Sequence, residues 1–259
     1  MIWTTRPRSD QGGLACIKEG EGPRVLLLHG VGLQADAWAA QVPDLAPHFQ
    51  VIAPDMPGHG HSGRLVGRAS LSVYSDAVAQ LLDRPTVVVG HSMGAMIALD
   101  IAARYPELVA GVAALNAIYR RSDAAKQAVL ERAESLRSET GPNPEPTLER
   151  WFGTEPSEAR SACGAWLKGA DLQGYRTAYE VFAREDGPSD QALISLKCPA
   201  FFMTGSLEPN STPAMSQAMA ALTPNGQAHV IEAAAHMMPM THHEEVTRAL
   251  MAFATECNS

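Results

Sequence analysis

Residues 86–103, TVVVGHSMGAMIALDIAA, form the most apolar window of the chain and constrain its fold more than any other stretch. Its length suits a membrane span. His91, Asp100 and two glycines interrupt it, however, and its character changes midway. The first part is β-branched and the second is rich in alanine, so it reads as a buried strand, a turn and a buried helix. Gly90-His91-Ser92-Met93-Gly94 occupies the turn and matches GxSxG. A tight strand-to-helix turn needs glycine on both sides, because the helix must pass close to a neighbouring strand. Ser92 would then project at the C-terminal edge of a parallel sheet, where open α/β sheets place their sites. The competing reading is that Ser92 only caps its helix. The strand–turn–helix setting favours an exposed nucleophile.

The flanking sequence repeats this alternation. RVLLLHG (24–30), VIAPD (51–55), TVVVG (86–90), VAGVAALN (109–116), PAFFMTG (199–205) and AHVIEA (228–233) read as strands. ADAWAAQVPDLA (35–46), LSVYSDAVAQLLD (71–83), AMIALDIAARYP (95–106), TPAMSQAMAAL (212–222) and HEEVTRALMAFA (243–254) read as helices. Such alternation predicts a doubly wound, mostly parallel α/β sheet. The rhythm breaks at about 117–188, where polar helical segments such as DAAKQAVLERAESLR carry no convincing strand. The expected organisation is a core of residues 1–116 and 189–259, with a helical cap of residues 117–188 inserted in its middle. A chain of 259 residues, 46% of them hydrophobic, is long enough for this single core.

The net charge of −8 argues against nucleic acid or an anionic membrane as the main partner. The four cysteines, Cys16, Cys163, Cys198 and Cys257, are scattered without metal spacing and read as free thiols. The N-terminal MIWTTRPRSDQGG has no apolar signal region, and with the free thiols this gives a cytoplasmic expectation. His59-Gly60-His61 resembles the start of a metal site, but Arg64 and Leu65 stand where a companion acid and third histidine would follow. No metal and no cofactor are expected.

Five motifs follow one another in order: LLLHGVG (26–32), DMPGHGHS (55–62), GHSMG (90–94), GSLEPNSTP (205–213) and AAAHMMPMTHHEEV (233–246). Together they resemble the α/β-hydrolase fold family over nearly the whole length outside the middle insertion. The resemblance implies Ser92 as nucleophile, His236 as its base and Glu208 as the acid that holds the base. It also implies an oxyanion hole made by the backbone N–H groups of Val31 and Met93. Glu208 departs from the family, whose acid turn more often carries Asp. The other position for an acid in this fold follows the strand 109–116 and holds Asn116.

The insertion loosely resembles the caps of enol-lactonases and aminoacrylate-type hydrolases. Most of its aromatics are expected to pack cap against core, and one or two, with Trp151 a candidate, to line the pocket. Arg120 and Arg121 come directly after the strand that leads into the cap. One of them is expected to bind an acidic group of the substrate, the alternative being an ordinary surface arginine. The resulting expectation is a cofactor-independent serine hydrolase of a small ester, lactone or amide. The same triad also suits C–C bond hydrolysis, perhydrolysis or acyl transfer, and the fold alone suits a non-catalytic ligand receptor. Oligomeric state is not legible.

Overall fold

The computed structural model describes residues 2–141 and 143–258. Met1, Pro142 and Ser259, which the expected core and cap ranges include, lie outside the described residues. The chain begins with β1 (Ser9–Gln11), β2 (Leu14–Glu19) and β3 (Arg24–Leu28), then α1 (Val42–Leu45), β4 (Gln50–Pro54) and α2 (Leu71–Ala79). Next come β5 (Thr86–His91), α3 (Met93–Arg104) and β6 (Val109–Leu115). Five helices follow: α4 (Asp123–Ser138), α5 (Glu145–Phe152), α6 (Glu158–Gly169), α7 (Leu172–Arg184) and α8 (Asp190–Ile194). The last part holds β7 (Ala200–Gly205), α9 (Pro213–Leu222), β8 (Gly226–Ile231), α10 (Met238–Thr241) and α11 (His243–Glu256).

The strands form one sheet in the order β1-β2-β4-β3-β5-β6-β7-β8. β3 through β8 run parallel, and β1 and β2 add an antiparallel edge. Strands β3, β5 and β7 are buried along their whole length, which explains their unbroken apolar sequence. Successive side chains leave opposite faces. Leu26, Leu28, Val88, Val112 and Phe202 pack under α2, α3 and α9 through Tyr74, Ile97 and Met219. Val25, Leu27, Val87, Val89 and Leu115 pack on the other face against α1 and α11 through Leu45, Val246 and Leu250. Each fully buried aliphatic side chain contributes roughly 1.5–3 kcal/mol, so the central strands hold the sheet together.

Three local expectations need correction. The predicted helix 35–46 is a 3₁₀ turn at Ala35–Trp38 followed by the short α1. Pro43 has no N–H to give to a continuous helix and sits instead in the first turn of α1. The N-terminal hairpin was not expected. Gly12 and Gly13, at φ +58° and +85°, make its two-residue turn between Gln11 and Leu14. The strand predicted over 228–233 spans Gly226–Ile231, two residues earlier. The segment between β6 and β7 is helical, as its composition indicates.

The hairpin's leader is tied to the core by charge. Arg8 reaches Asp36 at 2.7 Å and Asp55 at 3.0 Å, and both carboxylates are fully buried. Asp55 also accepts the N–H groups of Ala35 and His61 at 2.8 and 2.9 Å, so it shapes the turn 55–62 from within. Removing one member of a buried ionic cluster leaves the others uncompensated. Arg8→Met, which keeps the aliphatic stem, should therefore lower unfolding stability by about 3–5 kcal/mol in urea titrations. A loss below about 1 kcal/mol would show that water solvates the two aspartates.

Candidate active site

Ser92 sits between β5 and α3 with φ +57° and ψ −120°, a conformation that a side chain rarely adopts. Such strain costs on the order of 1–3 kcal/mol and persists only where the surroundings enforce it. Here the Ser92 N–H donates to the Leu115 carbonyl at 2.9 Å, across to β6. The Ser92 side chain makes no capping bond to α3, which removes the helix-cap reading. The two flanking glycines are sterically required. A Cβ on Gly94 would lie 2.3 Å from the Leu28 carbonyl oxygen, and one on Gly90 would lie 2.0 Å from the Gly94 oxygen.

The turn opens into a cavity of about 1130 Å³, its open mouth included, lined by Ser92, His236, Glu208, Val31, Arg121 and Trp151 among others. His236 follows β8 in a short loop, and its Nδ1 donates to Glu208 Oε2 at 2.7 Å. Glu208 lies three residues past the end of β7, and its side chain is fully buried. Its other oxygen accepts the N–H groups of Asn210 at 2.8 Å and Ser211 at 3.3 Å. Burial opposes its charge, but the charge and bond of His236 and the two amides outweigh burial and hold the carboxyl near pKa 2. Glu208 is thus a carboxylate at every ordinary pH.

Val31 follows His29-Gly30 and lines the cavity beside Ser92. Met93 is the first residue of α3, so its N–H has no acceptor within the helix. Trp151 of α5 stacks on the His236 ring, with centroids 5.7 Å apart and planes at 23°. His29, within the LLLHGVG motif, donates Nδ1 to Gly30 O at 2.8 Å and accepts the Met56 N–H at 2.9 Å. His59 and His61 diverge: His59 Nδ1 meets the Pro57 carbonyl, whereas His61 bonds Asp55.

The two arginines part company. Arg121 is buried, lies over the Phe182 ring at 4.5 Å and gives hydrogen bonds to the Glu185 and Phe182 carbonyls. Arg121 is one of the residues that line the cavity, and among the described residues no carboxylate lies within ion-pair distance of its guanidinium, although the charges of Asp186 and Glu185 act on it from farther away. Burial pushes its pKa down. Arg120 does not line the cavity. Its exposed side chain pairs with Asp190 and lies over Tyr119, so the expectation of an acid-binding role for it is corrected. Arg132 and Arg150 also line the cavity. Sequence reading missed both, since each sits in a polar helix; the one available signal was that Arg150 adjoins Trp151.

A serine on a strained strand-to-helix turn, sharing a cavity with a histidine–carboxylate pair, defines an α/β enzyme of hydrolytic type. The chain belongs to the α/β hydrolase fold family, whose model matches residues 23–243. It is 37% identical to an (E)-2-((N-methylformamido)methylene)succinate hydrolase of Acinetobacter baylyi, over 98% of each chain. It is 32% identical to a pimeloyl-[acyl-carrier protein] methyl ester esterase of Stenotrophomonas maltophilia, over 90% of this chain and 93% of that one. Its fold superposes on a thermophilic esterase from Thermogutta terrifontis, solved with malate bound, at a TM-score of 0.85 and 30% identity. That match covers 95% of this chain and 94% of the esterase. The chain is a hydrolase. Among the described residues no helix is long and apolar enough to cross a membrane.

The low pKa of Glu208 has a thermodynamic consequence. A carboxyl depressed on folding adds stability above its ordinary value of 4.5, and that stability fades as pH falls towards about 2. In urea titrations the wild type should exceed Glu208→Gln most at pH 6, and the gap should narrow at pH 3. A gap that is independent of pH would mean that Glu208 is not charged in the folded state.

Proposed function

We propose that this hydrolase works through an acyl-enzyme formed on Ser92, with His236 as general base and Glu208 as its orienting acid. The observation that carries the reading is the 2.7 Å bond from His236 Nδ1 to a buried, ionised Glu208, beside a serine held at a strained turn in the same cavity. With Nδ1–H given to Glu208, the Nε2 lone pair is free to take the Ser92 proton as Oγ attacks a carbonyl carbon. The resulting oxyanion is received by the N–H groups of Val31 and Met93. His236 then returns the proton to the departing nitrogen or oxygen, and water repeats the sequence to free the acid and restore Ser92.

The substrate class follows from the cavity wall and the relatives. Arg121 is a buried arginine of the cavity wall whose guanidinium meets main-chain carbonyls and, among the described residues, no carboxylate at ion-pair distance, and Arg150 stands on the same wall. A substrate carboxylate would satisfy such a group. The full-length relative from Acinetobacter baylyi is named for a succinate that bears an amide. The substrate we assign is therefore a small acylated molecule, an amide or ester, that carries at least one carboxylate. Residues 117–188 act as the cap: they bring Arg121, Arg150 and Trp151 over the site and limit access of water.

A fluorophosphonate probe should label the wild type at Ser92 and leave Ser92→Ala unlabelled. Glu208→Gln should fold and yet lose roughly 10³–10⁴-fold in kcat, because glutamine favours the wrong histidine tautomer. Failure of the wild type to label would remove the acyl-enzyme reading. Arg121→Ala should raise KM roughly 10- to 100-fold for an ester bearing a carboxylate, the value of a charge-assisted hydrogen bond. Its KM for the matching neutral ester should stay within about 3-fold of the wild type. Equal losses on both esters would show that Arg121 only supports the cap.

A further inference from the structure

The main-chain carbonyl of His236 accepts two hydrogen bonds from side chains far away in sequence. His91 Nε2 donates at 2.8 Å and Asn116 Nδ2 at 2.7 Å. A carbonyl oxygen has two lone pairs, so its acceptor capacity is filled. The donors stand at the C-terminal ends of adjacent strands, His91 closing β5 and Asn116 directly after β6. Both line the cavity.

The orientation of Asn116 is fixed by its other contacts. Its Oδ1 receives the Gly205 N–H at 3.3 Å and lies 2.9 Å from the Thr204 hydroxyl. An amide turned the other way would set Nδ2 against an N–H donor and Oδ1 against the His236 oxygen. The backbone at Asn116 has φ +49°, a region that asparagine tolerates better than most residues. His91 is equally constrained. Facing a carbonyl oxygen, its Nε2 must carry the proton. Burial and the nearby His236 push its pKa down to about 3, so the ring donates without bringing charge to the site.

The rest of the histidine loop is held from the acid side. The Leu207 N–H donates to the Ala234 carbonyl at 2.8 Å, and the Ala233 N–H donates to Ser206 Oγ at 2.9 Å. Those bonds fix where the loop begins. Among the described residues, the bonds from His91 and Asn116 are the ones that reach the backbone of His236 itself. The single side-chain bond to Glu208 fixes one ring atom and leaves the main chain from which the ring swings free to shift. A displacement of about 1 Å in a catalytic group costs on the order of 100-fold in rate.

We infer that His91 and Asn116 form a neutral two-donor clamp on the His236 carbonyl and are positioning residues that aim the imidazole at Ser92. The inference rests on the triad reading above. Neutrality is part of the device. A cationic donor at either place would oppose formation of the imidazolium that the reaction requires, and an acidic one would present an oxygen to the carbonyl oxygen.

His91→Phe tests the clamp most directly, because it keeps a ring and removes the donor. On a small neutral ester, kcat should fall roughly 10- to 100-fold, with KM within about 3-fold of the wild type. His91→Gln, whose amide has similar reach, should recover most of the loss. Asn116→Leu, which removes the other donor, should show the same split between kcat and KM. In a His236→Ala background either change should cost less than about 2-fold, since residues acting through one group are not additive. Unchanged kcat in His91→Phe, or an equal loss with and without His236, would overturn the clamp. The low-field proton resonance of His236 Nδ1 gives a readout that needs no turnover. It should shift or broaden in both single variants, and an unchanged resonance would overturn the clamp. A wild type that shows this resonance but no Ser92-dependent turnover would instead refute the proposed function.

Discussion

The approach of α3 to β3 sets the geometry on which everything else depends. Gly94 lets the first turn of the helix come so close to the Leu28 carbonyl that any Cβ would collide with it. That approach leaves no room for a gradual turn after β5, so the chain reverses at Ser92 with a positive φ. A strained residue survives because its neighbours over-determine it. β5 is buried along its whole length between β3 and β6, and the Ser92 N–H is fastened to Leu115. A serine in a relaxed N-cap would turn its hydroxyl back onto the helix amides. The strained one holds it towards the cavity instead.

The proposed acid follows a different logic. Glu208 is one methylene longer than aspartate, and the turn after β7 accommodates that length by binding both carboxylate oxygens. One oxygen meets the Asn210 and Ser211 amides and the other meets His236. Such division of labour stiffens a side chain that would otherwise have an additional free torsion. The alternative acid position at the end of β6 is not idle. Asn116 there ties β7 to the histidine loop through Gly205 and His236. A carboxylate at that point would set an oxygen against the His236 carbonyl instead of donating to it.

Legibility in the sequence followed the strength of local constraint. Buried strands announced themselves through unbroken apolar runs, and the elbow through paired glycines. The pairing of Glu208 with His236 was legible because each follows a strand in the expected order, and the structure brings the two side chains together. The N-terminal hairpin was missed although Gly12-Gly13 is a turn signal, because β1 has only three polar residues and the apolar run of β2 is four residues long before Lys18 and Glu19 end it. The 35–46 segment misled because its alanines favour a helix that Pro43 interrupts. Arg120 and Arg121 were inseparable as letters. The left-handed φ of +53° at Arg120 sends the two side chains apart, one to solvent and one to the cavity. No periodicity encodes that, and the same holds for Arg150.

The cavity also departs from the charge of the chain as a whole. A net charge of −8 suggests a protein indifferent or hostile to anions. Among the described residues, however, Glu208 is the one carboxylate on the cavity wall, and its charge is already committed to His236 and two amides. Three arginines line the same space: Arg132 pairs with Glu139, whereas the charges of Asp186 and Glu185 act on Arg121 from beyond ion-pair distance. Fields from surface charges are screened over about 10 Å at moderate salt, whereas a partly enclosed wall is screened much less. The local sign therefore decides what enters. In the proposed mechanism it also bears on the chemistry, because a guanidinium matched by the carboxylate of the proposed substrate would no longer oppose the positive charge that would develop on His236 as Ser92 gives up its proton.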